Sequence, residues 1–189
     1  MHRLLPLLAA IAVLAASVFP LALPGAAQEG TAQGVGGITL SPGLKYLLGR
    51  LAYIDGPRIR EGGLDGKVVV VSFFASWCPP CRVEFEQLKQ LHAAYAGRGL
   101  AVVVLNLFEN WDGDGGVRLV RYLAAQDSPF AVVKGSEIAA AAFGNVRRIP
   151  TLFIFGRDGR QATHFVHQPG ATKTHLGLAE LHAAIQLLL

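Results

Sequence analysis

The sequence predicts an α/β protein with a central mixed β-sheet flanked by helices, and three observations carry that prediction. Residues 67–74 and 100–107 are runs of valine, leucine and phenylalanine, apolar on both faces, as expected for central strands of a parallel sheet covered on both sides. A helical pattern follows each run. Near the C-terminus, Gly156-Arg157-Asp158-Gly159 joins two further strand patterns as a hairpin, which adds an antiparallel pair to the sheet.

The chain begins with His2 and Arg3, then an uncharged apolar stretch at 4–23, with the next charge at Glu29. Small residues stand at the minus-three and minus-one positions of a cut after Ala27. Residues 1–27 therefore read as a signal peptide. An uncleaved anchor is the other reading, because about 20 apolar residues suffice to span a bilayer. No cysteine lies near the cut. Residues 28–45 are rich in Gly, Ala and Thr and read as a flexible tether, leaving 46–189 as the folded domain. Leu47, Leu48, Leu51, Tyr53 and Ile54 give 44–66 enough apolar weight for a short extension packed on that domain.

After the first strand, Pro79 and Pro80 suit the first turn of a helix. Phe85, Leu88, Leu91, His92 and Tyr95 continue it at three- and four-residue steps, and Gly97 and Gly99 end it. Residues 108–116 form a turn-rich loop, and Val117, Val120, Leu123 and Ala124 mark a second helix. A short strand is expected at 129–133. Ser136 can cap a helix running to Ala142, with Glu137 in its first turn. Ile149-Pro150-Thr151 introduces the strand at 152–155, 161–166 returns antiparallel, and a helix over 174–188 closes the chain.

With 189 residues the chain is long enough for one domain with a substantial core. The net charge is +4; without residues 1–27, which hold only Arg3, 16 basic residues face 13 acidic ones. No basic run concentrates that charge, so nucleic acid is not implied, and a monomer is expected.

Cys78 and Cys81 are the only cysteines, set two residues apart at the strand-to-helix turn. A bridge between them closes too short a loop to stabilise the fold much, so chemistry is the better reading. The helix N-terminus favours thiolate at Cys78, and Cys81, one turn further in, can attack a mixed disulfide formed there. Neither Pro79 nor Pro80 has an N–H to offer the sulfur, which leaves the amides from Cys81 onward as donors. Weaker thiolate stabilisation and a more reducing couple are expected.

The run Phe73-Phe74-Ala75-Ser76-Trp77-Cys78-Pro79-Pro80-Cys81-Arg82, with Glu84 after it and Ile149-Pro150-Thr151 some seventy residues on, resembles the TlpA/ResA-like branch of the thioredoxin superfamily. The resemblance covers roughly residues 60–189. It implies a thioredoxin-like fold with a TlpA-type insertion, here at 109–125 and extending toward 133. It also implies a cis Pro150 beside the cysteines, with the Ile149 backbone free to pair with an extended substrate. By the same resemblance Trp77, Pro79, Pro80, Ile149, Pro150 and Thr151 frame the substrate. Glu84 matches the family's active-site glutamate. Thioredoxin itself has a buried Asp six residues before the first cysteine, where this chain has Ser72, so Glu84 is the replacement that could take the Cys81 proton. A solvated helix glutamate is the plainer reading of the same residue.

Other features point elsewhere less specifically. Arg82 stands where c-type haem attachment needs His. Arg147 and Arg148 could favour the thiolate electrostatically or be ordinary exposed loop residues. Asp112-Gly113-Asp114-Gly115 resembles the start of a calcium loop, but the later ligands are absent. A copper(I) chaperone would use Cys78 and Cys81 with His164 or His167 as a third ligand. Peroxide reduction is a third reading, disfavoured because no Thr stands three residues before Cys78.

The expectation is a periplasmic thiol–disulfide oxidoreductase, acting as a disulfide reductase without a cofactor. Cys78 attacks, Cys81 resolves and Glu84 handles the proton. A membrane thiol–disulfide donor would restore the dithiol, and apocytochrome c or a copper-site protein would be the disulfide substrate. An oxidase or isomerase direction stays open.

Overall fold

The strand Val68–Phe74 organises the sheet because neither of its faces meets solvent: all seven residues are buried. In the computed structural model, which describes residues 37–189 apart from the side chains of Trp111 and Asp112, five more strands surround it. In chain order the elements are α1 (Pro42–Arg50), β1 (Tyr53–Asp55), β2 (Val68–Phe74), α2 (Pro79–Tyr95), β3 (Leu100–Asn106), α3 (Val117–Ala124), β4 (Ala131–Lys134), α4 (Glu137–Ala142), β5 (Thr151–Phe155), β6 (Gln161–Val166) and α5 (Leu178–Gln186). Short 3-10 turns lie at Ala96–Arg98 and Glu109–Asp112.

The sheet order is β1-β4-β3-β2-β5-β6. Strands β2, β3 and β4 run parallel, while β1, β5 and β6 are antiparallel to their neighbours, so the mixed sheet expected from the sequence is present. Alternation along β2 sends its side chains to two covered faces. Phe74 packs on Phe85 of α2, with ring centroids 5.5 Å apart. Its neighbour Phe73 packs on Phe143, just past α4, at 5.4 Å.

Helix ends follow local chemistry. Ser136 Oγ accepts from the Ala139 N–H at 3.1 Å, the cap expected for α4. Ser41 Oγ does the same for Leu44 at 3.2 Å, with Pro42 at the first position of α1.

Three sequence expectations are corrected. Residues 37–45 do not belong to a tether: Leu40 and Leu44 are buried, Thr39 bridges to Arg160, and α1 starts at Pro42. The folded unit thus begins well before residue 46; the leader at 1–27 and the rest of the tether, 28–36, lie outside the described residues. The extension expected at 44–66 packs on the domain and in addition contributes a strand, β1, which pairs with β4 through Tyr53 and Val133. In α3 Leu123 of the predicted set is buried, but its buried partner is Leu119, whereas Val117 and Val120 are 58% and 68% exposed, so the helix is turned partly away from the predicted face. The final helix starts at Leu178 rather than 174, with the Glu180 carboxylate accepting from the Gly177 N–H at 2.8 Å.

Among the described residues no helix is long and apolar enough to cross a membrane.

Candidate active site

The chain leaves the C-terminal end of β2, makes the turn Ala75-Ser76-Trp77, and enters α2 at Pro79 with Cys78 as its N-cap. Cys78 and Cys81 are joined in a disulfide. The Cys81 N–H points at Cys78 Sγ, 3.3 Å away, and is the donor left after two prolines. Cys78 is 4% exposed and Cys81 1%, so the outer sulfur of the pair belongs to Cys78. Pro79 is exposed and Pro80 half-buried, on the rim of the turn.

Glu84 lies one turn beyond Cys81 and is 1% exposed, so it is not a solvated helix glutamate. Its Oε1 accepts from the Ser72 hydroxyl at 2.6 Å, and its Oε2 has no partner among the described residues. Burial, opposed by that hydrogen bond, pushes the carboxyl from 4.5 up to about 7. The Ser72 position, emptied of a carboxylate relative to thioredoxin, thus supports one that arrives from α2.

A second buried carboxylate holds the turn before the cysteines. Glu109, on the loop after β3, is 8% exposed. Its Oε2 accepts from the Ser76 N–H at 2.9 Å and from Asn106 Nδ2 at 2.6 Å, and its Oε1 accepts from the Ser76 hydroxyl. On the same turn, the Trp77 indole donates to the Phe108 carbonyl at 2.8 Å, and Arg82 Nε donates to the Ser76 carbonyl at 2.5 Å. Sequence reading missed Glu109, Asn106 and Ser76 in these roles. The one available signal was a carboxylate and an amide three residues apart at the end of a buried strand.

Pro150 is cis. Thr151 opens β5 opposite Phe73 of β2, which places Ile149 and Pro150 at the end of the sheet from which the cysteine turn departs. Neither the N–H nor the C=O of Ile149 has a hydrogen-bond partner among the described residues. The Thr151 side chain is 1% exposed and its hydroxyl donates to the Arg148 carbonyl at 2.8 Å, which secures the loop from within. Thr151 also lines a cavity with Arg147 and Arg148.

The residues set apart in the sequence fall as follows. Asp114 uses both carboxylate oxygens on the start of α3, accepting from the N–H groups of Gly116 and Arg118 at 2.8 and 2.9 Å. Those bonds hold its pKa below the usual carboxylate range. His164 stacks on Phe153 at 4.2 Å, and burial lowers its pKa. His167 lies opposite Pro150, its N–H donating to the Pro150 carbonyl at 3.0 Å. Among the described residues no three His, Cys, Asp or Glu side chains are grouped as metal ligands.

A family model described as Redoxin matches residues 55–175. Among curated proteins, the chain is 27% identical over 109 residues to the thiol-disulfide oxidoreductase ResA of Bacillus cereus, covering 57% of this chain and 59% of that protein. It is 33% identical over 104 residues to the thiol:disulfide interchange protein CycY of Rhizobium leguminosarum bv. viciae, covering 54% and 52%. The matched region thus spans less than two thirds of either relative. Among solved structures, a thioredoxin-family thiol:disulfide interchange protein from Chlorobium tepidum TLS aligns with a TM-score of 0.58 at 24% identity, over 72% of this chain and 90% of that one. That alignment shows the same thioredoxin-like fold.

Proposed function

The chain belongs to the Redoxin family, in its ResA-like, thioredoxin-fold branch, and on that footing we propose that it is an exported thiol–disulfide oxidoreductase working as a protein-disulfide reductase. The observation that carries this reading is the Cys78–Cys81 pair at the N-terminus of α2, with Glu84 buried one turn further along the helix.

In the dithiol form, the Cys78 thiolate attacks one sulfur of a substrate disulfide, and the other leaves as a thiolate that takes up a proton. The Cys81 thiol then gives its proton to Glu84, whose pKa near 7 suits both taking and returning it. The Cys81 thiolate attacks Cys78 Sγ and releases the second substrate thiol. Two electrons have passed to the substrate, and the chain is left with the Cys78–Cys81 disulfide. Trp77, Pro79, Pro80 and the cis Pro150 loop frame the substrate, which pairs along the unpartnered backbone of Ile149.

The reading of residues 1–27 as a leader supports work in the periplasm, where a membrane thiol–disulfide donor would restore the dithiol. Apocytochrome c or a copper-site protein is the substrate. The relatives' names, a thiol-disulfide oxidoreductase and a thiol:disulfide interchange protein, support the class of reaction.

The test is a trapping experiment. Reduced Cys81→Ser protein, mixed with a disulfide-bonded peptide, accumulates a covalent mixed disulfide, whereas Cys78→Ser protein does not. Equal trapping by both variants, or by neither, contradicts the assignment.

A further inference from the structure

The cis Pro150 side of the site has a one-signed charge pattern that the exchange chemistry does not use. From residue 138 to residue 179 the chain contains one acidic residue, Asp158, which lies in the hairpin turn where its carboxylate caps the Arg160 N–H. Arg147 and Arg148 immediately precede Ile149 and Pro150, and both are exposed. Arg148 donates to the neutral amide oxygen of Gln168, and among the described residues no carboxylate pairs with either arginine. The two carboxylates beside the cysteine turn, Glu84 and Glu109, are buried and engaged from inside. Behind the two arginines lies a cavity of about 470 Å³ with a floor of Phe143, Phe153, His164 and Val166.

We propose that Arg147, Arg148 and the apolar groove behind them form the docking surface for the segment of the disulfide partner that flanks its reactive cysteine, and that this segment carries carboxylates beside an apolar side chain. The inference rests on the reductase reading and specifies its partner. Two features select the occupant. Two exposed guanidinium groups at the rim, neither paired with a carboxylate among the described residues, call for negative charge, and carboxylate matches the guanidinium fork. Arg147 and Arg148 also line the groove and directly precede Ile149 in the chain, whose backbone has no partner among the described residues and offers a substrate strand a pairing edge. A strand advances about 3.3 Å per residue, so carboxylates within two or three residues of the partner's cysteine come within reach of the arginines.

The experiment uses the full chain, reduced and freed of reductant, with three cysteine peptides of equal length and one flanking apolar residue. The cysteine is flanked by Glu, Gln or Lys, and each peptide is joined by a mixed disulfide to a chromophoric thiol. Attack by Cys78 on the peptide sulfur breaks that bond and expels the chromophore as its thiolate, which is timed. The readout is the ratio of Glu-peptide to Lys-peptide rates, in which the intrinsic reactivity of Cys78 cancels. The expected ratio is about tenfold at low ionic strength. It should fall toward one in about 1 M salt, where the screening length is about 3 Å. It should invert in R147E/R148E and fall between these values in R147Q/R148Q.

Equal rates for the three peptides, or a ratio unchanged by R147E/R148E, overturn the proposal while leaving the reductase reading intact. Failure of every peptide to react brings down the reductase reading, and this inference with it. A ratio that disappears as protein concentration rises would name a second copy of the chain as the occupant. One that emerges only after removal of residues 1–36 would name the chain's own leader. Either result overturns the proposal.

Discussion

The Ser72 hydroxyl donates to Glu84 Oε1 at 2.6 Å across the β2–α2 interface, and Oε2 of the same carboxylate is buried without a partner among the described residues. With a pKa moved from 4.5 to about 7, folded Glu84 keeps a proton that the unfolded chain has already lost. The folded state binds more protons across that window, so stability falls as pH rises through it. Glu84→Gln should match the parent below about pH 4.5 and exceed it above pH 7, by up to about 3 kcal/mol. Urea unfolding of the oxidised protein across that range checks this. The same substitution should slow release of a substrate from the Cys78 mixed disulfide about a hundredfold, the order expected for loss of a positioned proton acceptor.

Glu109 divides its oxygens unequally, and its two conservative replacements should separate accordingly. Oε2 takes two N–H donors, from Ser76 and Asn106, while Oε1 takes a hydroxyl that can also act as an acceptor. A Gln can keep its oxygen at the first position and donate its amide to the hydroxyl. Glu109→Gln should therefore cost less than half as much as Glu109→Ala, which leaves buried donors unpaired at about 1–3 kcal/mol each. Thermal and urea denaturation of the two variants provide the comparison. Equal losses would mean that the carboxylate's charge, rather than its acceptors, holds the turn before Cys78.

The orientation of α3 is testable through its valines. Val120→Ser, at a 68% exposed position, should change stability by less than about 0.5 kcal/mol. Leu123→Ala, at a 5% exposed one, should cost about 2–5 kcal/mol. A larger loss from Val120→Ser than from Leu123→Ala in urea unfolding would put Val120 on the buried side, where the sequence suggested it.

At Gly56, φ is +72° and a Cβ would lie 2.0 Å from the Phe130 carbonyl oxygen. Gly56→Ala should destabilise the junction of β1 with the segment leading into β4 by more than about 1 kcal/mol, since it combines a left-handed backbone with a backbone collision. Faster amide exchange confined to β1 and β4 would localise the effect.

What the sequence made legible follows from how local the cause was. The valines of β2 and β3, the Ser136 cap and the 156–159 hairpin are written in neighbouring residues, and each element is where its local pattern put it. Tyr53–Asp55 was not legible as a strand, because three residues followed by Gly-Pro carry no period, and pairing with β4 is what extends them. On α3, Val117 and Val120 satisfy a helical spacing as well as Leu119 and Leu123 do. The choice between faces is made by the sheet, which the sequence alone does not orient. The site divides in the same way. Cys78 and Cys81 announced themselves by residue type and context. Pro150 and Glu84 required the family resemblance, and the burial of Glu84 required the structure. Glu109 sits in a loop of Asn, Asp and Gly that reads as solvated, and folding brings it to Ser76 from 33 residues away.

The central claim, that this pair reduces disulfides, is tested most directly by the reduction potential of Cys78/Cys81, measured by equilibration against dithiothreitol and glutathione. With two prolines between the sulfurs and the Cys81 N–H as the amide donor facing Cys78 Sγ, the account predicts a value near that of thioredoxin, about −270 mV. A value near −120 mV would contradict it and make the protein a donor of disulfides.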